Sequence, residues 1–195
     1  MNAQNHKFPN QIYGEFIILQ KITRNDAEFI FSLRKQKVAE YLNTPENYSI
    51  ESQIKWQKSR TDNEINYIIY DGSFRVGTVS IYDCDWVNGV SNVGRLLLDG
   101  LYVHNSKPYG LEALKITYDY VFNVMDFRKI TGVILEKNKK VFELQKFLGM
   151  EQEGYLKKHV ILRGNYEDLY VMSLMKEDFE GYKNKINTIL DKFRR

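Results

Sequence analysis

The chain has 195 residues, with 28 basic and 25 acidic side chains and a formal net charge of +3. Apolar residues make up 43% and charged residues 27%, a balance that builds one sizeable core and excludes disordered, collagen-like and coiled-coil chains. The single cysteine, Cys84, excludes an internal disulfide framework, no apolar run approaches the ~18 residues of a membrane span, and the small net charge gives no reason to expect nucleic-acid binding.

The first ten residues are polar and are expected to fray, and no apolar stretch in them reads as a signal peptide. A reducing, cytoplasmic setting is the expectation. Residues 16–19 read as a first strand. Asn25 and Glu28 have capping-box spacing, ahead of a helix that carries Phe29, Ile30 and Leu33 and ends near Lys37. Ser49 is an N-cap candidate for a second helix bearing Ile54 and Trp56. These two helices and the loop through Pro45 form one helical arm. Residues 66–70 and 74–82 are β-rich and flank Asp71-Gly72, a hairpin signal. Residues 83–89 read as a polar turn and 93–98 as a buried strand. Leu111, Leu114, Tyr118, Val121, Phe122 and Met125 recur at helical spacing over 109–125. A strand over 129–135 and a short helix within 138–147 follow, with Gly149 as its stop. Residues 155–162 and 170–175 are β segments around a Gly164-Asn165 turn. Phe179, Tyr182, Ile186, Ile189, Leu190 and Phe193 give the last stretch a helical stripe. The fold class is mixed α+β: one domain over 11–178, a central mixed sheet flanked by helices, and a C-terminal helix over 179–195 that packs on it or extends it.

Neither a GxGxxG nor a GxxxxGK[ST] signature occurs, so dinucleotide and P-loop folds are not expected. His6, His104 and His159 lack metal-site spacing, and one cysteine cannot build a thiolate zinc site. Cys84 has no neighbouring histidine and reads as structural. The basic–aromatic stretch 155–159 matches strand alternation as well as it matches an RNA contact. Two segments carry chemistry. Residues 98–110 run from a strand end into a long helix, where backbone N–H groups can cradle phosphate and Lys107 can add charge; the same pattern also makes a plain strand–helix connection. Residues 138–150 open with Asn138, which can cap a helix or hydrogen-bond an extended ligand. Lys139 and Lys140 are solvent-facing charges or phosphate contacts.

These two segments resemble the GNAT superfamily of acyl-CoA-dependent N-acyltransferases, in the branch of ribosomal-protein N-terminal and bacterial amino-sugar acetyltransferases. The resemblance runs from Phe16 to Phe179. It is carried by Leu33-Arg34, Ile54-Lys55-Trp56, Val93-Gly94-Arg95, Tyr109-Gly110-Leu111-Glu112-Ala113-Leu114, the Asn138–Met150 stretch, Glu153-Gly154 and Gly164-Asn165-Tyr166-Glu167-Asp168. It implies a splayed central sheet and acetyl-CoA as co-substrate, with no metal. Leu101, Tyr102, Val103, Asn105, Ser106, Lys107, Tyr109, Gly110, Leu111 and Asn138 are then the cofactor contacts. Within the family's phosphate loop, Asn105 replaces an Arg or Gln, Pro108 replaces the first Gly and removes an N–H donor, and Gly110 matches. Gln145 stands where the family often has a tyrosine acid.

Direct attack of an amine on the thioester in a ternary complex needs a proton acceptor. Asp99 is the first candidate, the alternative being a turn, and His104 the second. The oxyanion is expected near backbone N–H groups of 98–101. Arg34, Trp56, Tyr82 and Trp86 are the expected acceptor contacts, with Tyr41 and Tyr102 as further aromatic stock. The expected partner is a small-molecule amine, foremost a nucleotide-linked amino sugar, bound by a monomer or homodimer. A protein N-terminus, another small amine, and a non-catalytic GNAT-like binding module are the alternatives.

Overall fold

The computed structural model describes residues 8–102 and 107–194. One eight-stranded sheet runs through it in the order β1-β2-β3-β4-β5-β6-β8-β7. The strands are β1 Gln11–Tyr13, β2 Ile18–Lys21, β3 Ile65–Asp71, β4 Phe74–Asp85, β5 Val90–Leu98, β6 Lys129–Leu135, β7 Glu151–Leu162 and β8 Asn165–Met175. The helices are α1 Ala27–Lys35, α2 Ile50–Lys58, α3 Tyr109–Asp119, α4 Lys139–Phe147 and α5 Lys176–Asp191. Every neighbouring pair is antiparallel except β5 and β6, which are parallel and joined by the α3 crossover.

The mixed sheet flanked by helices is the architecture the sequence predicts. The hairpin at Asp71-Gly72 forms, with Gly72 at φ +58°. Ser49 caps α2, its hydroxyl oxygen accepting the Ser52 N–H at 3.2 Å. Gly149 takes φ +97° just past α4.

Three expectations change. The strand expected at 16–19 is a hairpin of two short strands, β1 and β2. It is held down by Glu112, a buried carboxylate on α3 that accepts the N–H groups of Glu15 and Phe16. The capping box lies at Thr23 and Asp26 rather than Asn25 and Glu28: Asp26 Oδ2 accepts the Thr23 N–H at 2.8 Å and hydroxyl at 2.9 Å. The polar turn expected at 83–89 is shorter, because β4 continues through Asp85. Of the terminal segment expected to fray, residues 1–7 lie outside the described residues, and 8–10 are anchored. The Phe8 ring packs on Trp86 at 6.0 Å, and the Pro9 and Asn10 carbonyls accept from the Tyr67 hydroxyl and the Lys21 N–H.

The core lies between the sheet and α3, α4 and α5. Tyr118 of α3, Phe122 of the π-helical turn Tyr120–Val124 that continues it, and Phe179 of α5 are fully buried and pack ring against ring, at 5.9 and 5.3 Å from Phe179. Phe179, Ile186 and Leu190 make α5 part of this core. No helix among the described residues is long and apolar enough to cross a membrane.

Candidate active site

The β5–β6 ladder spans only Val90–Lys129, Ser91–Ile130 and Asn92–Thr131. Beyond it the two strands part, which leaves the β5 edge over 93–98 without a strand partner. At this point β5 also carries an extra residue. Thr78 pairs with Leu97 and Ser80 with Gly94, so two steps on β4 oppose three on β5. Arg95 absorbs the bulge at φ +51°, a conformation a non-glycine residue adopts at a cost.

Two cavities meet at Arg95. One, of about 300 Å³, fills the gap between the parted strands. Its walls are the 93–96 segment of β5, the 132–135 segment of β6, Asn138 and Gln145 of α4, and Tyr82. Val160 to Leu162 close it from the β7–β8 hairpin. A second register shift bends that hairpin, where Lys158 sits at φ +50° and its N–H is caught by Asp168 at 2.6 Å.

The other cavity, of about 470 Å³, lies between the sheet and the helical arm. Its floor is Asn66, Tyr67, Thr78, Ser80, Arg95 and Leu97; α1, α2 and the loop between them form its roof. Leu42, Asn43 and Arg95 line both cavities.

Arg95 is fixed from several sides. Its guanidinium donates to Glu64 at 3.3 and 3.4 Å and to Asn66 Oδ1 at 3.1 Å. It lies 4.1 Å from the Tyr82 ring centroid and 5.5 Å from that of Trp56. The buried Ser80 hydroxyl donates to the same Asn66 oxygen at 2.6 Å. This network ties β3, β4 and β5 together beneath the junction.

Gln145 is 6% exposed, and its Oε1 accepts the hydroxyl hydrogen of the buried Tyr118 at 2.5 Å. With Oε1 used inward, its Nε2 has no partner among the described residues and is left for the cavity. Tyr118 is pushed far above the usual phenol range by burial, so it acts as a fixed donor. Tyr82 is also raised by burial, and its hydroxyl has no partner among the described residues. That hydroxyl would lie 3.2 Å from a Cβ on Gly94, so it stands at the mouth of the gap.

Several expected residues come together here. Gln145, Asn138 and Tyr82 line the smaller cavity, and Arg34 and Trp56 the larger. Asn138 also caps α4, accepting the Val141 N–H at 3.4 Å, which is the first of its two readings. Gly110 lies against β5, where an added Cβ would meet Leu98 at 3.4 Å and Leu96 at 3.6 Å, and the amides of Gly110 and Leu111 fall in the first turn of α3, where no helical carbonyl is available to them.

Other residues do not join the site. Trp86 lines neither cavity; it packs edge-on against Phe127 at 5.0 Å in the turn after β4. The Lys107 ammonium is paired with Asp71 at 2.7 Å, and the Tyr109 hydroxyl donates to the same carboxylate at 2.6 Å. Leu101 points to solvent at 85% exposure, and the Tyr102 ring packs against Tyr109. Val103, His104, Asn105 and Ser106 lie outside the described residues.

The Asp99 carboxylate is taken up in a turn, the alternative to its reading as the base. Its Oδ1 accepts the Leu101 N–H at 2.9 Å and its Oδ2 the Gln36 amide at 3.2 Å. It lies four residues beyond Arg95, about 13 Å along an extended strand, and lines neither cavity. The backbone N–H groups expected at 98–101 for the oxyanion are likewise engaged from residue 99 onward. The N–H groups of Asp99, Gly100 and Leu101 already donate to Val76 O, Gln36 Oε1 and Asp99 Oδ1. Asp99→Asn is therefore expected to keep turnover within about threefold of wild type, far from the ~10² that a positioned proton acceptor contributes. Asp99→Ala is expected to cost about 1 kcal/mol in thermal unfolding by releasing the Leu101 N–H.

Sequence reasoning missed the role of Arg95. It stands in a Val93-Gly94-Arg95 string that marks the strand, but nothing in the string announces a bulge. Among the described residues no three His, Cys, Asp or Glu side chains gather as metal ligands would. Cys84 is buried, and its thiol is pushed up to about 12 by burial first and by the Asp83 and Glu64 charges next. Native protein is accordingly expected to resist iodoacetamide at pH 8, with labelling of Cys84 appearing only on unfolding.

The chain matches the family described as "Acetyltransferase (GNAT) domain" over residues 17–151. It is 24% identical over 186 residues to the "Uncharacterized N-acetyltransferase p20" of Bacillus licheniformis, covering 87% of this chain and 98% of that one. Among solved structures it is similar to a GCN5-related N-acetyltransferase from Brucella melitensis, with a TM-score of 0.79 and 18% identity over 92% of this chain and 85% of that one. It is also similar to the spermidine N-acetyltransferase of Vibrio cholerae in complex with CoA and spermine, with a TM-score of 0.74 and 18% identity over 85% and 98% of the two chains. The parted central strands, the Asn138-led helix and the match over 17–151 agree: the chain belongs to the GNAT acetyltransferase family.

Proposed function

We propose that the protein is an acetyl-CoA-dependent N-acetyltransferase acting on the primary amine of a small molecule, with donor and acceptor meeting at Arg95. The observation that carries this reading is the junction itself. One cavity follows the open β5 edge, the other lies under the helical arm, and both reach Arg95.

The residues present fit CoA. An extended chain with amide groups finds unpaired backbone along 93–98, a 300 Å³ gap beside it, and first-turn amides at Gly110 and Leu111 for an anionic end. Acetyl-CoA supplies the thioester, whose C–S bond breaks as the N–C bond forms; the amine loses one proton and the sulfur gains one. Tyr82 and Gln145 are the donors that face the gap. A phenol can release a proton to the sulfur, whereas the Gln145 amide can only donate a hydrogen bond. Tyr82 is thus the proton donor, and Gln145, oriented by Tyr118, the hydrogen-bond donor.

The acceptor is enclosed by Trp56, Tyr48 and Tyr67, which suits a ring or short chain more than an extended peptide. For a nucleotide-linked amino sugar, the substrate class of one branch that the sequence resembles, Trp56, Tyr48 and Tyr67 are the aromatic partners in this cavity. The acceptor bound by the Vibrio relative is a polycation, and it is not carried over: among the described residues no Asp or Glu lines the larger cavity.

Tyr82→Phe tests this reading. The ring and its contact with Arg95 remain, and only the hydroxyl goes. The expected result is a fall in kcat of tenfold or more, since a positioned acid contributes ~10²–10⁴, with the Kd for CoA unchanged by calorimetry. Unchanged kcat would remove Tyr82 from proton transfer, and no binding of acetyl-CoA by wild-type protein would remove the enzymatic reading.

A further inference from the structure

The larger cavity holds a cation without a counter-ion. Arg34, on α1, lines it and is half-buried. No carboxylate pairs with Arg34 among the described residues. Its neighbours are the Tyr48 ring, 5.2 Å from the guanidinium carbon, and the like charge of Arg95. Its Nε is buried with no hydrogen-bond partner.

Gln53 of α2, only 3% exposed, lines the same cavity. The Tyr48 hydroxyl donates to its Oε1 at 2.6 Å, which fixes the amide so that Nε2 is the free end. That Nε2 is also buried and unpartnered. Two buried donors, one of them cationic, therefore border one cavity, and no acid among the described residues faces them. Unmade hydrogen bonds of this kind are costly, and a desolvated guanidinium is more so. Burial pushes the Arg34 guanidinium below its ordinary value, yet an arginine stays charged at any working pH. Ile22, Ile30, Leu33, Leu42 and Leu97 add apolar lining, and the neutral polar side chains of the cavity leave both donors without a partner.

We propose that this is an anion subsite: the acceptor amine carries a carboxylate or phosphate group, which accepts from Arg34 and Gln53 while the amine reaches Arg95. The proposal rests on the N-acetyltransferase reading and narrows its substrate class. It accounts for both orphaned donors with one ligand group, because a carboxylate or phosphate oxygen takes the guanidinium and the amide together. It also sets the amine's surroundings. An amine held beside the Arg95 cation is favoured in its neutral, nucleophilic form. A polycationic acceptor would meet two arginines and no carboxylate among the described residues of this cavity.

The test compares matched amine pairs with acetyl-CoA at saturation: an α-amino acid against its amide, glucosamine 6-phosphate against glucosamine, and a nucleotide-linked 4-amino sugar against the unlinked sugar. Spermidine is run alongside. At least one anionic member is expected to exceed its neutral partner tenfold in kcat/KM, and the pair in which this occurs separates a carboxylate from a phosphate source. Arg34→Gln is expected to bring that ratio to within about twofold of unity, mainly through KM, and Arg34→Lys to restore part of it. Melting temperatures of both variants check that the arm is folded. Gln53→Leu, which removes the second donor and keeps Arg34, is expected to lower the same ratio by a smaller factor. A neutral member or spermidine as the best acceptor, an unchanged ratio in Arg34→Gln, or no transfer to any anionic member by protein that binds acetyl-CoA would each overturn the proposal. Failure to bind acetyl-CoA would instead overturn the reading beneath it.

Discussion

Arg95→Ala is expected to lower kcat/KM by roughly 10², the loss that follows when reacting groups are misplaced by about an ångström. Its guanidinium holds the Tyr82 ring at 4.1 Å and ties Glu64 and Asn66 beneath the junction. Without it Tyr82 loses its clamp, and the wall between the two cavities disappears. The fold should survive, because Glu64 keeps Arg60 at 3.5 Å and Asn66 keeps Ser80. Arg95→Gly separates side chain from backbone. Glycine accepts φ +51° without a Cβ penalty, so the Gly variant should be more stable than the Ala variant by about 1 kcal/mol. It should be no more active. Turnover of Arg95→Ala within threefold of wild type would mean that transfer happens elsewhere.

Gly77→Ala is expected to destabilise the protein by about 3–5 kcal/mol, the range reached only when the core itself is disturbed. A Cβ at Gly77 would lie 2.4 Å from the Leu97 carbonyl oxygen and 3.1 Å from the Leu98 Cα. Both belong to the β5 backbone and are paired with β4, so neither can retreat without opening the ladder beside the bulge. For a domain of this size the loss amounts to a fall in melting temperature of roughly 10 °C. Gly181→Ala on α5 is the control. Nothing lies within 4 Å of its added Cβ, and helix propensity favours it by up to about 1 kcal/mol. A wild-type melting temperature for Gly77→Ala would show that β4 and β5 are more loosely apposed than their register indicates.

The features legible in the sequence were those with local causes. The Asp71-Gly72 turn, the Ser49 cap, the β6 run at Lys129–Leu135 and the Asn138-led helix each follow from side chains within a few residues of one another. The features missed have distant causes. The short polar strand β1 has no periodicity to read; it persists because Glu112, nearly 100 residues away, takes the N–H groups that follow it. Trp86 looks like a cleft aromatic until Phe8 and Phe127 cover it. Asp99 stands at a strand end, as a base should, and only the Leu101 and Gln36 contacts reveal it as a turn residue. The bulge at Arg95 arises from a mismatch of register between two strands, which one strand's sequence does not contain. The larger cavity was legible in part: the resemblance names Arg34 and Trp56, which both line it, but that no acid among the described residues lines it with Arg34 emerges only when α1, α2 and the sheet close around one space.

A crystal structure of the protein with CoA tests the central claim most directly. The pantetheine arm is expected along the unpaired edge of β5 over 93–98, with its sulfur within about 4 Å of the Tyr82 hydroxyl or the Gln145 amide, the usual reach of a hydrogen bond to sulfur, and with the larger cavity still open on the far side of Arg95. CoA bound away from the gap, or a β5–β6 ladder that continues past Asn92 and Thr131 and closes it, would contradict the account.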